Sequence, residues 1–213
     1  MTLDYERDPA AIYARSFAII AAEAPLDHLP EEARPLAIRL IHACGMIDIA
    51  ADLRVSPGAV AAGRAALGGG AAIFCDAEMV GRGIIARALP EGAAPVVTLN
   101  DPRVPGLAGS LGTTRSAAAV ELWRERIGGA VVAIGNAPTA LFHLLERLEA
   151  GWPKPALILG FPVGFVGAAE SKAALAELAH GVPFVTLSGR RGGSAMAAAA
   201  VNALTLGLGG DGT

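Results

Sequence analysis

Arg39 and His42 stand three residues apart in the run Arg39-Leu40-Ile41-His42-Ala43-Cys44-Gly45. The spacing predicts the last turn of a helix that Gly45 stops, with a fixed positive charge and a titratable imidazole on one face. Histidine is the side chain best placed to move a proton near neutral pH. A lone histidine on an apolar helix is more often packing than chemistry. Here the glycine-rich loops later in the chain argue for a site.

Those loops follow short apolar runs that read as strands: Ala71–Cys75, Val96–Leu99, Ala130–Ile134, Ala156–Leu159 and Pro183–Leu187. Helical segments are expected between most of them, at about 77–88, 115–126, 138–150, 168–180 and 194–205. Continuous apolar strands alternating with helices predict a buried parallel sheet of five strands. Asn100–Arg103 and the stretch to Ser116 read as one long loop. Three helices precede the sheet. Residues 9–23 place Ile12, Ser16, Ile19 and Ile20 along one side, and residues 31–43 carry Ile38, Ile41 and His42. A third helix is expected to be capped by Ser56 ahead of Pro57 and to end in Gly68–Gly70.

In open parallel sheets, ligands bind beyond the carboxyl ends of the strands. The segments there are Asp76–Val80, Gly109–Ser116, Gly135–Ala140, Gly160–Lys172 and Ser188–Ser194. Small residues let backbone N–H groups approach a ligand closely. Helices expected to open at Arg115, Pro138, Ala168 and Ser194 offer unpaired amides to an anion, and Arg115 and Arg190 add full charges. The rim suits a large molecule with several carboxylates or phosphates.

Composition narrows the reading further. The 213 residues suffice for one domain with a sizeable core. Mean hydropathy is high at +0.48, yet no run of about 18 uninterrupted apolar residues suggests a membrane helix. The charged opening Met1–Asp8 lacks the apolar stretch of a secretory leader, and two cysteines make no disulfide framework, so a cytoplasmic location is expected. A net charge of −3 argues against nucleic acid as a partner. Only Lys154 and Lys172 of the 17 basic residues are lysine. An arginine excess fits a GC-rich coding sequence and equally fits planar recognition of carboxylates. The glycine-rich tail from about residue 206 reads as disordered.

Several chemistries lack their signatures. There is no G-x-x-x-x-G-K-[ST] phosphate loop, no G-x-G-x-x-G opening a helix after a strand, and no G-x-S-x-G elbow. His42, Cys44, Asp48, Cys75 and Asp76 are metal-ligand types, but neither C-x-x-C nor H-E-x-x-H occurs, and no metal is expected. Both cysteines read as small buried hydrophobes.

Seven segments in order resemble the precorrin-8X methylmutase family and its cobalt-precorrin-8 counterpart. They are Asp4–Tyr5 with Ile12–Phe17, Ile41–Gly45, Cys75–Val80, Thr114–Ala119, Gly135–Leu141, Gly160–Lys172 and Gly192–Met196. The resemblance implies a flavodoxin-like three-layer α/β/α fold with an N-terminal helical addition. It implies an isomerase of cobalamin (corrin) biosynthesis that moves a methyl group from carbon 11 to carbon 12 of the macrocycle by a 1,5-sigmatropic shift, giving hydrogenobyrinic acid. It implies no cofactor, a tetrapyrrole as substrate and product, and a homodimer with its sites near the subunit interface. The family's catalytic histidine falls on His42. Ser16 and Arg39 match substrate-contacting positions, Arg115 matches a further arginine, and Arg190 is a fourth substrate-binding candidate. Two rivals stay open: a nucleotide-dependent enzyme on the same fold, and a non-catalytic tetrapyrrole carrier.

Overall fold

The computed structural model describes residues 3–206. The expected disordered tail falls almost wholly on residues 207–213, outside the described residues. Nine α-helices and six strands lie within it: α1 (Pro9–Glu23), α2 (Arg34–Cys44), β1 (Leu53–Val55), α3 (Ala59–Gly68), β2 (Ile73–Cys75), α4 (Glu78–Gly83), β3 (Pro95–Val97), α5 (Val104–Leu111), α6 (Arg115–Val120), β4 (Val131–Ile134), α7 (Pro138–Glu149), β5 (Leu157–Gly160), α8 (Ala168–Leu178), β6 (Phe184–Leu187) and α9 (Ser194–Thr205).

The strands form one sheet in the order β1-β6-β5-β4-β2-β3. The five expected strands are all parallel neighbours. Followed from β3, they run second, first, third, fourth, fifth in chain order, which is the flavodoxin-like winding. Chain direction across the sheet reverses between β2 and β4, so the topological switch point lies at their carboxyl ends.

The sheet has a sixth strand that the five-strand expectation omits. Leu53-Arg54-Val55 pairs antiparallel with β6 in the register Leu53↔Leu187. Three residues around an exposed arginine give no apolar run to recognise. Ser56, expected as a helix cap, instead accepts from the Phe184 N–H through its Oγ, and α3 opens three residues later behind Gly58. The stretch read as one long loop contains α5, which ends on Gly112 at φ 60°. Its glycines, Gly106 and Gly109, hide the helical pattern. The helices expected at 77–88 and 115–126 stop early, at Gly83 and Val120, and pass into short 3-10 turns.

Strand residues alternate between two cores. Val131 and Ala133 of β4 face α3, α9 and the N-terminal helices, while Val132 and Ile134 face α7 and α8. Helix α9 is buried from Met196 to Thr205. Its alanines let α2 and α4 lie close against it. Gly83 comes so near that an added Cβ would stand 2.7 Å from the Ala198 Cβ. Helix α1 packs on α2, and among its residues only Ile20 is buried.

Candidate functional site

Helix α1 starts where Asp8 Oδ1 accepts from the Ala10 N–H and Pro9 presets the first helical turn. Helix α2 ends on Gly45, whose φ of 70° suits glycine and whose N–H closes on the Ile41 carbonyl. Tyr13, Ser16 and Phe17 recur at helical spacing on α1 and meet His42 on α2. The Ser16 Oγ lies 2.9 Å from His42 Nδ1. The Tyr13 and Phe17 ring centroids stand 5.3 and 5.1 Å from the imidazole, the second edge to face.

This arrangement settles what the imidazole can do. A hydroxyl both donates and accepts, so Ser16 satisfies Nδ1 in either protonation state. No described residue hydrogen-bonds Nε2, which leaves it to exchange a proton with a ligand. Arg39, one turn earlier, is half-buried and pairs with no carboxylate among the described residues. Its Nε is buried without a partner, and its guanidinium stands 5.8 Å from the Phe17 ring centroid. A partly buried cation without a partner is costly unless a ligand anion joins it.

His42 lines two clefts. One, of about 280 Å³, has Tyr13, Arg39, Ile85 and Asn202 around it and Ala195, Ala198 and Ala199 of α9 beneath. The other, about 470 Å³, is mainly isoleucine, from Ile12, Ile19, Ile20, Ile41 and Ile47, with Glu6, Glu23 and Arg15 at its rim. The first cleft suits a carboxylate-bearing ligand, because Arg39 lines it and no acidic side chain does among the described residues. The second is larger but sets two carboxylates against one arginine.

Ser16, Arg39 and His42 are therefore brought together, whereas Arg115 and Arg190 line neither cleft. Both lie on the sheet rim and are exposed. The Arg115 guanidinium donates to the Leu99 carbonyl at 3.2 Å and the Asn100 Oδ1 at 3.3 Å. The Arg190 guanidinium sits 5.4 Å from the centroid of the exposed Phe165 ring. Tyr13, on the smaller cleft, Phe17, edge to face with the His42 ring, and Asn202, on the smaller cleft, are residues to which the sequence reading gave no role. The i, i+3, i+4 spacing of Tyr13, Ser16 and Phe17 carried the signal for the first two. Asn202 offers none, because its part is tertiary: Oδ1 accepts from the Ile85 N–H, and Nδ2 donates to the Gly83 carbonyl.

Of the four helix N-termini expected to greet an anion, one is already capped, and the turn leading into a second is occupied. Thr114 Oγ1 caps α6 by accepting from the Ala117 N–H. At the switch point, the carboxylate of Asp76 accepts from the N–H groups of Gly135, Asn136 and Ala137 at 2.9, 2.9 and 2.7 Å, ahead of α7. Asp76 is 2% exposed. Burial pushes its carboxyl above the usual range, and the three N–H donors pull the other way.

Neither cysteine is set up as a nucleophile. Burial, followed by the charges of Asp76 and Glu78, pushes the Cys75 thiol up to about 12. Burial also raises Cys44. Among the described residues, no three His, Cys, Asp or Glu side chains converge as a metal site.

A flavodoxin-like domain with a serine-supported histidine cleft on its outer helices is the class that fold and site define. The chain matches the family profile of CbiC, precorrin-8X methylmutase, over residues 11–206. It is similar to a precorrin-8X methylmutase of Pseudomonas aeruginosa, 64% identical over 95% of this chain and 97% of the relative. One from a Sinorhizobium species is 60% identical over 94% and 96%. A cobalt-precorrin-8 methylmutase of Priestia megaterium is 36% identical over 93% and 88%. The crystal structure of precorrin-8X methylmutase from Thermus thermophilus superposes with a TM-score of 0.83 at 40% identity, covering 92% of this chain and 94% of that one. The chain belongs to the precorrin-8X methylmutase family, the isomerases that carry out this rearrangement in cobalamin synthesis.

No described helix is long and apolar enough to cross a membrane.

Proposed function

We propose that the chain moves the methyl group of precorrin-8X from carbon 11 to carbon 12, giving hydrogenobyrinic acid, in the cleft around His42. The observation that carries this reading is the 2.9 Å pairing of Ser16 Oγ with His42 Nδ1, which leaves Nε2 for the substrate. The shift is intramolecular and redox-neutral, so atoms and electrons balance without a co-reactant. The enzyme's task is to hold the macrocycle and lower the barrier electronically.

His42 Nε2 donates a proton, or a strong hydrogen bond, to the ring C nitrogen. That withdraws electron density from the conjugated system and favours migration; the proton returns to His42 when the product forms. Ser16 holds the imidazole and accommodates its change of charge. Tyr13 and Phe17 offer flat apolar contact to the macrocycle. Arg39 pairs with a peripheral carboxylate. These charges offset the repulsion between a polyanionic substrate and a chain of net charge −3.

A cleft of about 280 Å³ lies at the small end of ligand sites, and a corrin with its acid side chains overfills it. The substrate must extend over neighbouring surface, where Arg115 and Arg190 bind further carboxylates. Ile12, Tyr13 and Ile19 of α1 are 44–50% exposed, an apolar strip that favours a homodimer closing beside the cleft.

The metal-free substrate is favoured over the cobalt-bearing one because relatives named for the former are 60–64% identical, whereas the cobalt-precorrin-8 methylmutase of Priestia megaterium is 36% identical. The test is an absorbance time course with precorrin-8X, run beside His42→Ala and beside cobalt-precorrin-8. The hydrogenobyrinic acid spectrum from the wild type alone supports the assignment. Equal turnover by the variant refutes the role of His42. Binding without turnover points to a carrier.

A further inference from the structure

The switch point of a flavodoxin-like sheet is where such folds hold phosphates, on the free amides of the loop leading into a helix. In this chain those amides are taken by a side chain of the protein itself. Asp76 directly follows β2, and Gly135, Asn136 and Ala137 directly follow β4, so the two ends of the switch point are joined by one carboxylate. Oδ1 takes one N–H and Oδ2 takes two, with the side chain almost wholly buried.

The turn held this way touches both parts of the candidate site. A Cβ on Gly135 would lie 2.7 Å from the Ser194 Cα and 2.8 Å from the Ala197 Cβ, so the turn seats directly on the start of α9. Ala195 and Ala198 of α9 floor the His42 cleft. On its other side, Thr139 Oγ1 pairs with Thr114 Oγ1 at 2.8 Å, and Thr114 is the cap immediately before Arg115.

We infer that Asp76 is a built-in anion: it fills the phosphate cradle of the sheet, closes it to ligand carboxylates, and through the 135–139 turn positions Arg115 and the start of α9 for the substrate. Asp76 is thus a positioning residue and touches no reacting atom. A polyanionic substrate gives the device a purpose, because an open cradle beside the site would capture the wrong carboxylate and bind the macrocycle out of register. The purpose rests on the proposed function; the cradle itself does not.

Two variants test it. Asp76→Ala leaves three amides, those of Gly135 and Ala137 buried, without their acceptor, and formate is small enough to replace the lost carboxylate. Asp76→Asn keeps the shape but sets its NH2 against at least one of the three N–H donors. Both variants are expected to melt below wild type. Formate, against chloride at matched ionic strength, is expected to raise the melting temperature of Asp76→Ala saturably while leaving wild type and Asp76→Asn unmoved. This arm needs no substrate and stands whether or not the methylmutase reading does.

In the kinetic arm, Asp76→Ala is expected to raise KM for precorrin-8X about tenfold with kcat within about twofold, formate restoring KM, since a displaced carboxylate contact costs ground-state binding. Adding Arg115→Ala to Asp76→Ala is expected to cost less than the two single changes together. Should Asp76→Ala be recovered only when refolded in formate, the cradle is supported by that dependence. Formate acting no better than chloride, or Asp76→Asn matching wild type in melting and KM, overturns the inference. Strict additivity with Arg115→Ala overturns the positioning of Arg115.

Discussion

The Ser16 hydroxyl and the His42 imidazole meet at 2.9 Å across 26 residues of sequence, on two different helices. In the proposed function this pair would carry the proton chemistry on helices, whereas most α/β ligand sites rely on strand-end loops. A serine bonded to Nδ1 fixes the ring without imposing a charge, unlike a carboxylate partner, which would hold the imidazolium. Removal of His42 by alanine is expected to lower kcat by about 10²–10⁴ if its proton assists migration. Ser16→Ala should cost less, since it loosens the ring but keeps the acid. Single-turnover absorbance traces separate the two losses from changes in binding.

Arg39→Ala should act on binding instead. A charge-assisted hydrogen bond is worth about 1.5–3 kcal/mol, so KM is expected to rise by roughly 10- to 150-fold. Arg39→Lys should recover only part of this, because a lysine cannot match the planar fork. Initial rates over a range of precorrin-8X concentrations check both, and an unchanged KM in Arg39→Ala removes the residue from the site.

Thiol chemistry should be nearly silent. With Cys75 pushed up to about 12, only about one molecule in ten thousand carries its thiolate at pH 8. Iodoacetamide at that pH is expected to leave Cys75 unlabelled in the native protein and to label it once urea unfolds the chain. Peptide mass mapping reads this directly. Labelling of native Cys75 on the timescale of a free thiol contradicts the burial described here.

Lys172 predicts a pH dependence of stability. It is 1% exposed, and its Nζ donates to the Arg191 carbonyl, while the Arg191 guanidinium spans Asp48 and Asp52. Burial lowers the ammonium to about 8, with the charge of Asp52 opposing. A base depressed on folding binds fewer protons in the native state than in the unfolded chain between the two values. Its contribution to stability therefore rises from about pH 8 toward 10.5 and is lost as pH falls through 8. Lys172→Met should flatten that interval of the urea midpoint against pH. An identical slope in the variant assigns the dependence elsewhere.

How much of this was legible beforehand depended on whether a signal was local. The five parallel strands announced themselves as apolar runs flanked by glycine, proline or polar turn residues. The Arg39–His42 spacing and the Gly45 stop were likewise local. β1 escaped notice because three residues around Arg54 are too short to show a period, and α5 because Gly106 and Gly109 imitate a loop. At Ser56, a hydroxyl before a proline had two possible partners, a helix amide and a neighbouring strand, and pairing with β6 won. Asp76 stood in plain view as a strand-end acid, but its three partners lie about 60 residues away, and only the winding of the sheet brings them to it. The positions of Arg115 and Arg190 relative to His42 were equally invisible, because spacing in sequence says nothing of distance across a rim.

Helix α1 supplies Ser16, Tyr13 and Phe17 yet buries only Ile20. Ser16 thus rides on a weakly anchored helix, while His42 belongs to α2, with four buried residues against the core. Elements with little buried surface open locally far more often than the molecule unfolds. The fraction of molecules with a formed Ser16–His42 pair then follows the opening equilibrium of α1, so whatever covers its apolar strip also tunes how often that pair is made. Amide exchange in residues 10–23 should accordingly run faster than in 36–44, and slow when the tetrapyrrole binds.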